Sequence, residues 1–429
     1  MVALATALLL PITVFATLPT STGFTVKSSA ARMNNNLPSS SSLRVTDPAP
    51  QVNEECTVDE DTATARSSTA HPVYPTFPEK ERLLYEALGK FVIGSLDDYS
   101  FEPTSGGVNN VVFYVTKKEG GGSSSTTKSA TLGVLRIYNN SNDDPRVEFE
   151  HGILAKLGEQ RDMLSFGIPE TIPSITGNRF EKLSDGSSSC MFKLMKGGLP
   201  KLTKVREIGL CAGELSTAMA KIDRTALPKV SPNFPYWDVY KVHKAVTRDK
   251  FYEELRSDQF DEWRTSANEV EKDLIDVEDR IALYHDKLPW SIIHGDLHYD
   301  NILVDDTGVT GLLDFEFSSY DWRAMELAIC LSKYCSEDDP FPFFEKFVDG
   351  FAVTGELTVM EIESICTLIR LRILSNVVYF VGRALAGEDT LSTLTCRIDN
   401  YCQRLRWVKT NEEKVVALIK EKFSLNKKL

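Results

Sequence analysis

The fold of this 429-residue chain is decided by Ile292-Ile-His-Gly-Asp-Leu-His-Tyr-Asp-Asn-Ile-Leu-Val304, followed closely by Gly311-Leu-Leu-Asp-Phe-Glu-Phe317. The first stretch contains an H-x-D-x-x-x-x-N pattern formed by His294, Asp296 and Asn301. An aspartate at this position can accept the proton of an attacking hydroxyl, and the asparagine after it can hold a metal ion. The pattern therefore predicts the catalytic loop of a phosphoryl-transfer site, with His294 and Asp296 as its catalytic residues.

Apolar runs on both sides of this loop predict β-strands. Trp290–Ile293 precedes the pattern and Ile302–Val304 follows it, and after a turn at Asp305–Gly308 the run Val309–Leu313 ends on Asp314. Such a hairpin carries one candidate Mg²⁺ ligand at each end, because hard cations prefer oxygen ligands. An H-x-D with a later asparagine also fits a polar loop that caps a strand, and the flanking strands favour the catalytic interpretation.

The residues after the hairpin exclude a protein kinase. Protein kinases continue from this aspartate with Phe-Gly and a long activation segment, whereas Glu316 follows here and a helical pattern resumes near Met325. Asp314–Arg323 resembles the same segment of choline and ethanolamine kinases, and both stretches are similar to the aminoglycoside phosphotransferase and choline kinase-like family. The resemblance implies a bilobal α+β fold of the protein-kinase type, with an antiparallel N-lobe sheet and helix and a larger, mostly helical C-lobe.

A second region of resemblance lies upstream. The segment Ser105-Gly-Gly-Val-Asn-Asn-Val-Val-Phe113 is similar to the phosphate loop of the same family. The resemblance implies that Ser105, Gly106, Gly107 and Asn110 contact the phosphates of ATP. Glycines suit this role because backbone N–H groups can approach a phosphate when no Cβ intervenes. A lone Gly-Gly pair is otherwise typical of a hairpin turn, and the downstream pattern favours the phosphate loop.

Other residues are expected to complete the ATP site. Arg136 lies in an aliphatic strand pattern where this fold commonly has a lysine that binds the α- and β-phosphates. Arginine keeps the charge and adds a bidentate geometry, so we expect ATP binding to persist, although an exposed strand arginine is the simpler alternative. Glu150, with Glu148 as the alternative, is expected to orient Arg136 from a helix. The resemblance also implies that backbone groups around Leu194 to Lys196 contact the adenine.

The acceptor is predicted from acidic and aromatic residues after the hairpin. Glu316, Tyr320, Asp321 and Trp322 would suit an alcohol that also carries an amine, through charge pairing and cation–π contacts. Choline, ethanolamine and homoserine all fit, and both cationic and zwitterionic acceptors stay open. The resemblance implies an ATP- and Mg²⁺-dependent kinase. A pseudokinase that binds nucleotide or a partner is the alternative, and the complete set of oxygen ligands favours turnover.

Two other features near the predicted acceptor site have alternative interpretations. Arg323 could bind a carboxylate on the acceptor or pair with Glu326. The aromatic segment Phe234–Trp237 could form a wall of the acceptor site, but such a cluster more often packs in a core, which is the favoured interpretation.

Composition restricts the partners. The net charge of −13 argues against nucleic acid, because phosphate backbones are bound by clustered Lys and Arg. The eight cysteines show no C-x-x-C pair or zinc spacing, so we expect reduced, mostly buried thiols. The expected partner is the small-molecule alcohol that the resemblance implies, and the oligomeric state is left open.

The first residues are expected to be a targeting leader. Val2–Leu18 is apolar and uncharged like a signal peptide, and after Phe24 the segment Thr25–Arg44 is rich in Ser and Asn and free of acidic residues, as a transit peptide would be. This arrangement resembles the bipartite leader of proteins imported into plastids of secondary origin, so we expect a plastid protein with no membrane segment in its mature form. Secretion and a signal anchor are the alternatives.

The expected organisation is a leader over residues 1–44, a disordered linker over 45–75, a kinase-like N-lobe over 76–198 and a helical C-lobe over 199–429. Helical periodicity in the C-lobe predicts helices over Glu207–Ile222, Arg248–Tyr284, Glu361–Gly387 and Ser392–Lys420.

Overall fold

A computed structural model describes residues 77–104, 110–118, 131–138, 144–200, 202–228 and 233–425. The leader and the linker predicted from the sequence lie outside these ranges. So do Ser105, Gly106 and Gly107 of the predicted phosphate loop.

The N-lobe is built on an antiparallel sheet. Its strands follow one another in space as β1, β2, β3, β6 and β4, and β5 also pairs with β6. Helix α1 precedes the sheet in the chain, and α2 follows β3. Within the described ranges the elements are α1 (Phe77–Gly89), β1 (Tyr99–Pro103), β2 (Val111–Lys117), β3 (Thr131–Ile137), α2 (Asp144–Glu159), β4 (Thr171–Ile172), β5 (Glu181–Lys182) and β6 (Ser188–Phe192).

The alternation of β3 places a charged residue opposite the core. Leu135 and Ile137 are buried in a cluster that also contains Leu84 and Leu88 of α1. Because successive side chains of a strand point to opposite faces, Arg136 between them projects to the other face of the sheet. That face lies towards α2, whose Glu150 forms an ion pair with Arg136.

The C-lobe is mostly helical. Its short strands are β7 (Trp290–Ile293), β8 (Ile302–Val304), β9 (Val309–Leu312) and β10 (Ser319–Trp322). Strands β8 and β9 form the hairpin predicted from the sequence, and β7 pairs with β10. The helices are α3 (Val205–Ala220), α4 (Arg248–Leu255), α5 (Arg264–Tyr284), α6 (Ala324–Tyr334), α7 (Phe341–Thr354), α8 (Val359–Leu385), α9 (Ser392–Thr410) and α10 (Glu412–Leu425).

Two of the predicted helices are interrupted. The stretch from Arg248 to Tyr284 divides into α4, a 3₁₀ segment and α5, and the stretch from Ser392 to Lys420 divides into α9 and α10. Asn411 lies at the second break, where its side-chain Nδ2 donates a hydrogen bond to the carbonyl oxygen of Trp407 at 2.9 Å. Such a local side-chain bond competes with the backbone hydrogen bonds of the helix, so α9 ends here. The apolar periodicity continues into α10, which is why the sequence pattern did not indicate the break.

Helix α8 is the central helix of the C-lobe. It has 27 residues and is long and apolar enough to cross a membrane, but its apolar window is entirely buried inside the protein. Thr358 and Glu361 form a capping box at its start, where each side chain bonds the other's backbone N–H. Among the cysteines in the described ranges, all except Cys396 are buried and none forms a disulfide, which confirms the expectation of mostly buried thiols.

Helices α3 and α7 approach each other closely at glycines. A Cβ on Gly209 would lie 2.1 Å from the carbonyl oxygen of Phe347. We expect Gly209→Ala to lower the free energy of unfolding by about 1–3 kcal/mol, because the two backbones must separate to admit the methyl group. Thermal unfolding measures this loss. Gly158→Ala is the matched control, since no atom lies within 4 Å of its added Cβ, and an equal loss in both variants would contradict the prediction.

Candidate active site

A tight loop between β7 and β8 carries the predicted catalytic residues. His294 is fully buried, and its Nε2 donates to the carbonyl oxygen of Leu313 at 2.9 Å while its backbone N–H donates to Glu326. Gly295 has a φ of +80°, and a Cβ there would lie 2.4 Å from the carbonyl oxygen of Phe317. Only glycine fits this position. Burial lowers the pKa of His294 to about 4, so the neutral imidazole holds the loop in place.

Asp296 is buried and held from two sides. Its Oδ1 accepts a hydrogen bond from Arg372 Nη2 at 3.0 Å, and its Oδ2 lies 3.3 Å from His298 Nε2. Burial opposes the ionised form, but His298 and Arg372 outweigh it, so the pKa of Asp296 lies below its ordinary value. The carboxylate is therefore ionised at neutral pH. It can orient a hydroxyl and accept the proton of that hydroxyl.

Asp314 follows β9 in a strained backbone conformation. Its φ of 65° lies in the left-handed region, which residues other than glycine rarely adopt and which is often found at functional sites. This conformation directs its carboxylate towards Arg136, with Oδ1 3.3 Å from Nη2. Burial and the neighbouring carboxylate of Glu316 raise the pKa of Asp314. The site therefore has more negative charge than its own arginine compensates.

Arg136 is the centre of a carboxylate cluster. Its Nη1 donates to Glu150 Oε1 at 3.2 Å, and its Nη2 donates to Glu316 Oε2 at 2.5 Å as well as to Asp314. Glu150, rather than the alternative Glu148, forms the ion pair, and Glu148 is exposed. Arg136 is itself buried, so it joins β3, α2 and the end of the β8–β9 hairpin rather than standing as an exposed strand arginine.

Glu316 belongs to the carboxylate cluster around Arg136. The sequence predicted that it contacts the acceptor, but its carboxylate instead accepts hydrogen bonds from Arg136 and from Asn110 Nδ2, the latter at 2.8 Å. Asn110, at the end of the predicted phosphate loop, is thereby connected to the segment after the hairpin.

The donor set fits Mg²⁺. Three carboxylates surround one guanidinium, so negative charge is in excess. The Nδ2 atom of Asn301 donates to the carbonyl oxygen of Asp296 at 2.9 Å, which leaves its Oδ1 as an acceptor. Excess negative charge and oxygen donors suit a hard divalent cation. Asn301 and Asp314 are the residues that would hold it, and a bound Mg²⁺ would neutralise charge on the nucleotide phosphates.

The segment after β6 contains the residues expected near the adenine. Leu194 and Lys196 are exposed, and the carbonyl oxygen of Lys196 accepts a hydrogen bond from Thr310 Oγ1 at 2.6 Å. Gly198 exchanges two backbone hydrogen bonds with Val304, both of 2.8 Å. The segment thus lies against the β8–β9 hairpin and joins the N-lobe sheet to the strands that flank the catalytic loop.

A cavity lies beside the catalytic loop. Tyr236 in its wall donates a hydrogen bond from its hydroxyl to the carbonyl oxygen of Gly295 at 2.8 Å, and its backbone N–H donates to Asp321 at 2.6 Å. The wall is thereby attached to the residue before Asp296. The cavity is lined by Arg146, Asn233, Phe234, Pro235, Tyr236, Asp238, Val239, Lys241, Val242, Phe317, Ser319 and Ser375.

The aromatic segment Phe234–Trp237 divides between the two predicted roles. Phe234 and Tyr236 line the cavity, whereas Trp237 packs edge-on against His285 at 4.5 Å between ring centroids. The interpretation of the whole segment as core is therefore wrong for two of its aromatic residues.

The remaining predicted acceptor residues lie on β10 and do not line this cavity. Tyr320 stacks on Trp290 with ring centroids 5.4 Å apart, and Trp322 is fully buried against His285 and Trp290. Asp321 is also fully buried, and burial raises its pKa to about 7. Asp321 contacts the cavity wall from behind, because its carboxylate accepts a hydrogen bond from the backbone N–H of Tyr236.

Arg323 does not pair with Glu326. Its guanidinium forms two hydrogen bonds with Glu361 at the start of α8, at 3.1 and 2.7 Å, whereas Glu326 accepts the backbone N–H of His294. The prediction of an Arg323–Glu326 pair is wrong.

Sequence reasoning missed Arg372 and His298, which hold Asp296 from either side. A signal for Arg372 was present, because a charged residue within the long apolar run of α8 is rarely buried without a partner.

Together, the bilobal fold, the buried ionised aspartate and the arginine–carboxylate cluster define a phosphotransferase site of the kinase-fold class. Residues 100–356 match the model of the phosphotransferase enzyme family. This match covers more than half of the chain, and the chain belongs to that family, which confirms the resemblance predicted from the catalytic loop and hairpin.

Curated relatives match over shorter segments. A homoserine kinase of Sinorhizobium medicae (strain WSM419) is 33% identical in an alignment of 119 residues, which covers 25% of this chain and 36% of that protein. A homoserine kinase of Rhodospirillum rubrum is 43% identical over 58 residues, which are 14% of this chain and 18% of that protein. The matched segments therefore span about a third or less of these relatives.

Solved structures show the same fold. A microcompartment-associated aminopropanol kinase has a TM-score of 0.54 at 14% identity, with 78% of this chain and 98% of that chain covered. A choline kinase from Cryptosporidium parvum Iowa II has a TM-score of 0.50 at 12% identity, with 80% and 99% covered. These likenesses confirm the α+β bilobal fold.

The cluster around Arg136 makes a testable prediction. We expect Arg136→Met to lower kcat/KM for ATP by about 10- to 100-fold, because charge-assisted hydrogen bonds contribute about 1.5–3 kcal/mol and three carboxylates lose their cation. Steady-state kinetics with varied ATP measures the loss. Arg136→Lys is expected to lose less because it keeps the charge, and Arg82→Met, on the exposed face of α1, is the control. Unchanged kinetics in Arg136→Met would contradict this role.

Proposed function

We propose that the protein transfers the terminal phosphate of ATP, with Mg²⁺, to the hydroxyl of a small amine-bearing metabolite of the choline, ethanolamine or homoserine type. The proposal rests on the position of Asp296, an ionised carboxylate held beside a cavity with an aromatic wall. The candidate Mg²⁺ ligands adjoin it: Asn301 donates to its carbonyl oxygen, and Asp314 follows Leu313, whose N–H donates to Asn301 at 2.8 Å.

In this proposal the nucleotide phosphates lie near Arg136 and Asn110, and the acceptor hydroxyl lies at Asp296. A carboxylate with a lowered pKa is a weak base, so Asp296 chiefly orients the hydroxyl and takes up its proton late, as the bond to phosphorus forms. This suits the loose transition state of phosphoryl transfer, in which positioning and charge stabilisation dominate. Burial of the loop keeps water from competing with the acceptor.

The cavity has features that suit an amine. The ring of Phe234 already receives the ammonium of Lys241 at 5.2 Å, so its face accepts a cation. Asp238 supplies a carboxylate in the lining, and Asn233 and Ser375 supply polar groups. The homoserine kinase matches and the kinase fold support the same class of acceptor.

The proposal is tested by ADP release from the purified protein with ATP and Mg²⁺. The acceptors are homoserine, choline, ethanolamine, hydroxylysine, methylthioribose and an aminoglycoside, with a protein mixture included to detect phosphorylation of protein hydroxyls. We expect a saturable response to one amine-bearing alcohol. ATP binding without stimulation by any acceptor would contradict the proposal and favour a pseudokinase.

We also propose, from the sequence of the first 44 residues, import into a plastid of secondary origin. A fluorescent protein fused after residue 75 should accumulate in the plastid when it is expressed in a cell that has a plastid of secondary origin. The same fusion with Phe24→Ala should fail to enter the plastid. Secretion of the unaltered fusion would contradict the proposal.

A further inference from the structure

Arg372 lies between the catalytic aspartate and the wall of the acceptor cavity. It is only 2% exposed, on the central helix α8. Its Nη2 donates to Asp296 Oδ1 at 3.0 Å, its Nη1 donates to Asn376 Oδ1 at 2.6 Å, and its guanidinium carbon lies 5.6 Å from the ring centroid of Tyr236. One side chain therefore contacts both surfaces between which an acceptor hydroxyl would be held.

We propose that Arg372 is a positioning residue that sets the distance and orientation of Asp296 relative to the Tyr236 wall. This inference rests on the proposed kinase function, and it concerns a residue far from the catalytic loop in the chain. The planar guanidinium can donate to a carboxylate along one edge and stack on an aromatic ring with its face, so it fixes both partners at once. Asn376, one turn further along α8, holds the guanidinium in that orientation.

The neighbours of Asp296 do not replace this contact. His298, on the same loop, approaches the other carboxylate oxygen at 3.3 Å, and Asn301 Nδ2 lies 3.4 Å from it. Lys333 of α6 also lies near the loop, with its Nζ 3.9 Å from Asp300 Oδ2, and burial lowers the pKa of this lysine to about 7. Neither His298 nor Asn301 provides the link to the cavity wall that Arg372 provides.

Arg370 offers a matched comparison two residues earlier on α8. It is 1% exposed and, like Arg372, is paired with aspartates, since it donates to Asp273 at 2.8 Å and to Asp276 at 2.7 Å. These partners belong to α5, which contributes no residue to the site described above. Both arginines are therefore buried and ion-paired, but only Arg372 contacts the catalytic loop.

The test compares Arg372→Ala with Arg370→Ala in the full-length protein. We expect Arg372→Ala to lower kcat about 100-fold, because displacement of a catalytic group by about 1 Å can have that effect, while KM for ATP stays within about twofold. Both variants should lower the thermal midpoint, because each removes a buried guanidinium that pairs with a buried carboxylate, Asp296 for Arg372 and Asp273 for Arg370. Equal kcat in Arg372→Ala and the unaltered protein, or an equal fall in kcat in both variants, would overturn the proposal.

Two further measurements separate positioning from stability. Arg372→Lys should recover part of the lost kcat, and millimolar guanidinium chloride should raise kcat of Arg372→Ala but not of Arg370→Ala. Crystal structures of the two alanine variants test the positioning of Asp296 without any measurement of turnover. The Asp296 side chain should be displaced in Arg372→Ala but not in Arg370→Ala. An unmoved Asp296 would overturn the inference, whereas absence of turnover in the unaltered protein would instead refute the proposed function.

Discussion

Asp296→Asn should lower kcat by about 1,000-fold while the dissociation constant for ATP changes by about twofold or less. General-base groups contribute about 100- to 10,000-fold, and an amide cannot accept the proton of the acceptor hydroxyl. The substitution keeps the size of the side chain, so Arg372, His298 and Asn301 can still surround it. In the proposed function the nucleotide binds at the separate cluster around Arg136, so nucleotide binding should survive.

The measurement pairs steady-state turnover on the best acceptor with calorimetric binding of a non-hydrolysable ATP analogue. Asp306→Asn is the matched control, because it is the same chemical change on the exposed turn between β8 and β9. We expect it to retain full turnover. If Asp296→Asn turned over normally, the base would have to be another residue.

Asp314→Asn should also lower kcat by about 1,000-fold, but its kcat should depend on the Mg²⁺ concentration in a way that the kcat of Asp296→Asn does not. Metal ions supply several kcal/mol of charge stabilisation in the transition state, and about 4 kcal/mol corresponds to this factor. The substitution replaces the carboxylate that would bind the metal ion with an amide, which is a weaker ligand for a hard cation. A weaker site should need a higher Mg²⁺ concentration for half-maximal turnover.

The measurement is kcat across a Mg²⁺ titration, with Asp306→Asn again as the control. We expect excess Mg²⁺ to restore part of the activity of Asp314→Asn and none of the activity of Asp296→Asn, because only the first substitution alters a metal ligand. Identical Mg²⁺ curves for Asp314→Asn and the unaltered protein would contradict the assignment of Asp314.

Much of the catalytic centre could be predicted because its parts are close in sequence. The loop from His294 to Asn301 and the following hairpin form a local unit, with short-range hydrogen bonds such as the one between the N–H of Leu313 and the carbonyl oxygen of Asn301. Turn residues, strand alternation and the left-handed backbone of Gly295 all act over a few residues. Local constraints of this kind can be predicted from the residue pattern of the loop and hairpin.

The acceptor side was predicted less well, because residues that are close in sequence can have side chains that point in different directions. Glu316 and Trp322 follow the hairpin closely, but one side chain joins Arg136 and the other enters the core. On β10 the pairing with β7 decides which side chains are buried. A pattern of acids and aromatics does not specify that pairing, since a shift of one residue would reverse the faces.

The class of fold, the candidate catalytic loop, the candidate metal ligands and the importance of Arg136 could all be predicted from the sequence. Each depends on residue chemistry and local backbone preference. The partners that complete the site follow only from tertiary packing: Asp314 and Glu316 contact Arg136 across 178 and 180 residues of chain, and Arg372 contacts Asp296 across 76. The physical reason is that such contacts follow from the packing of β3, α8 and the hairpin around common cores, where helix rotation and strand register direct each side chain.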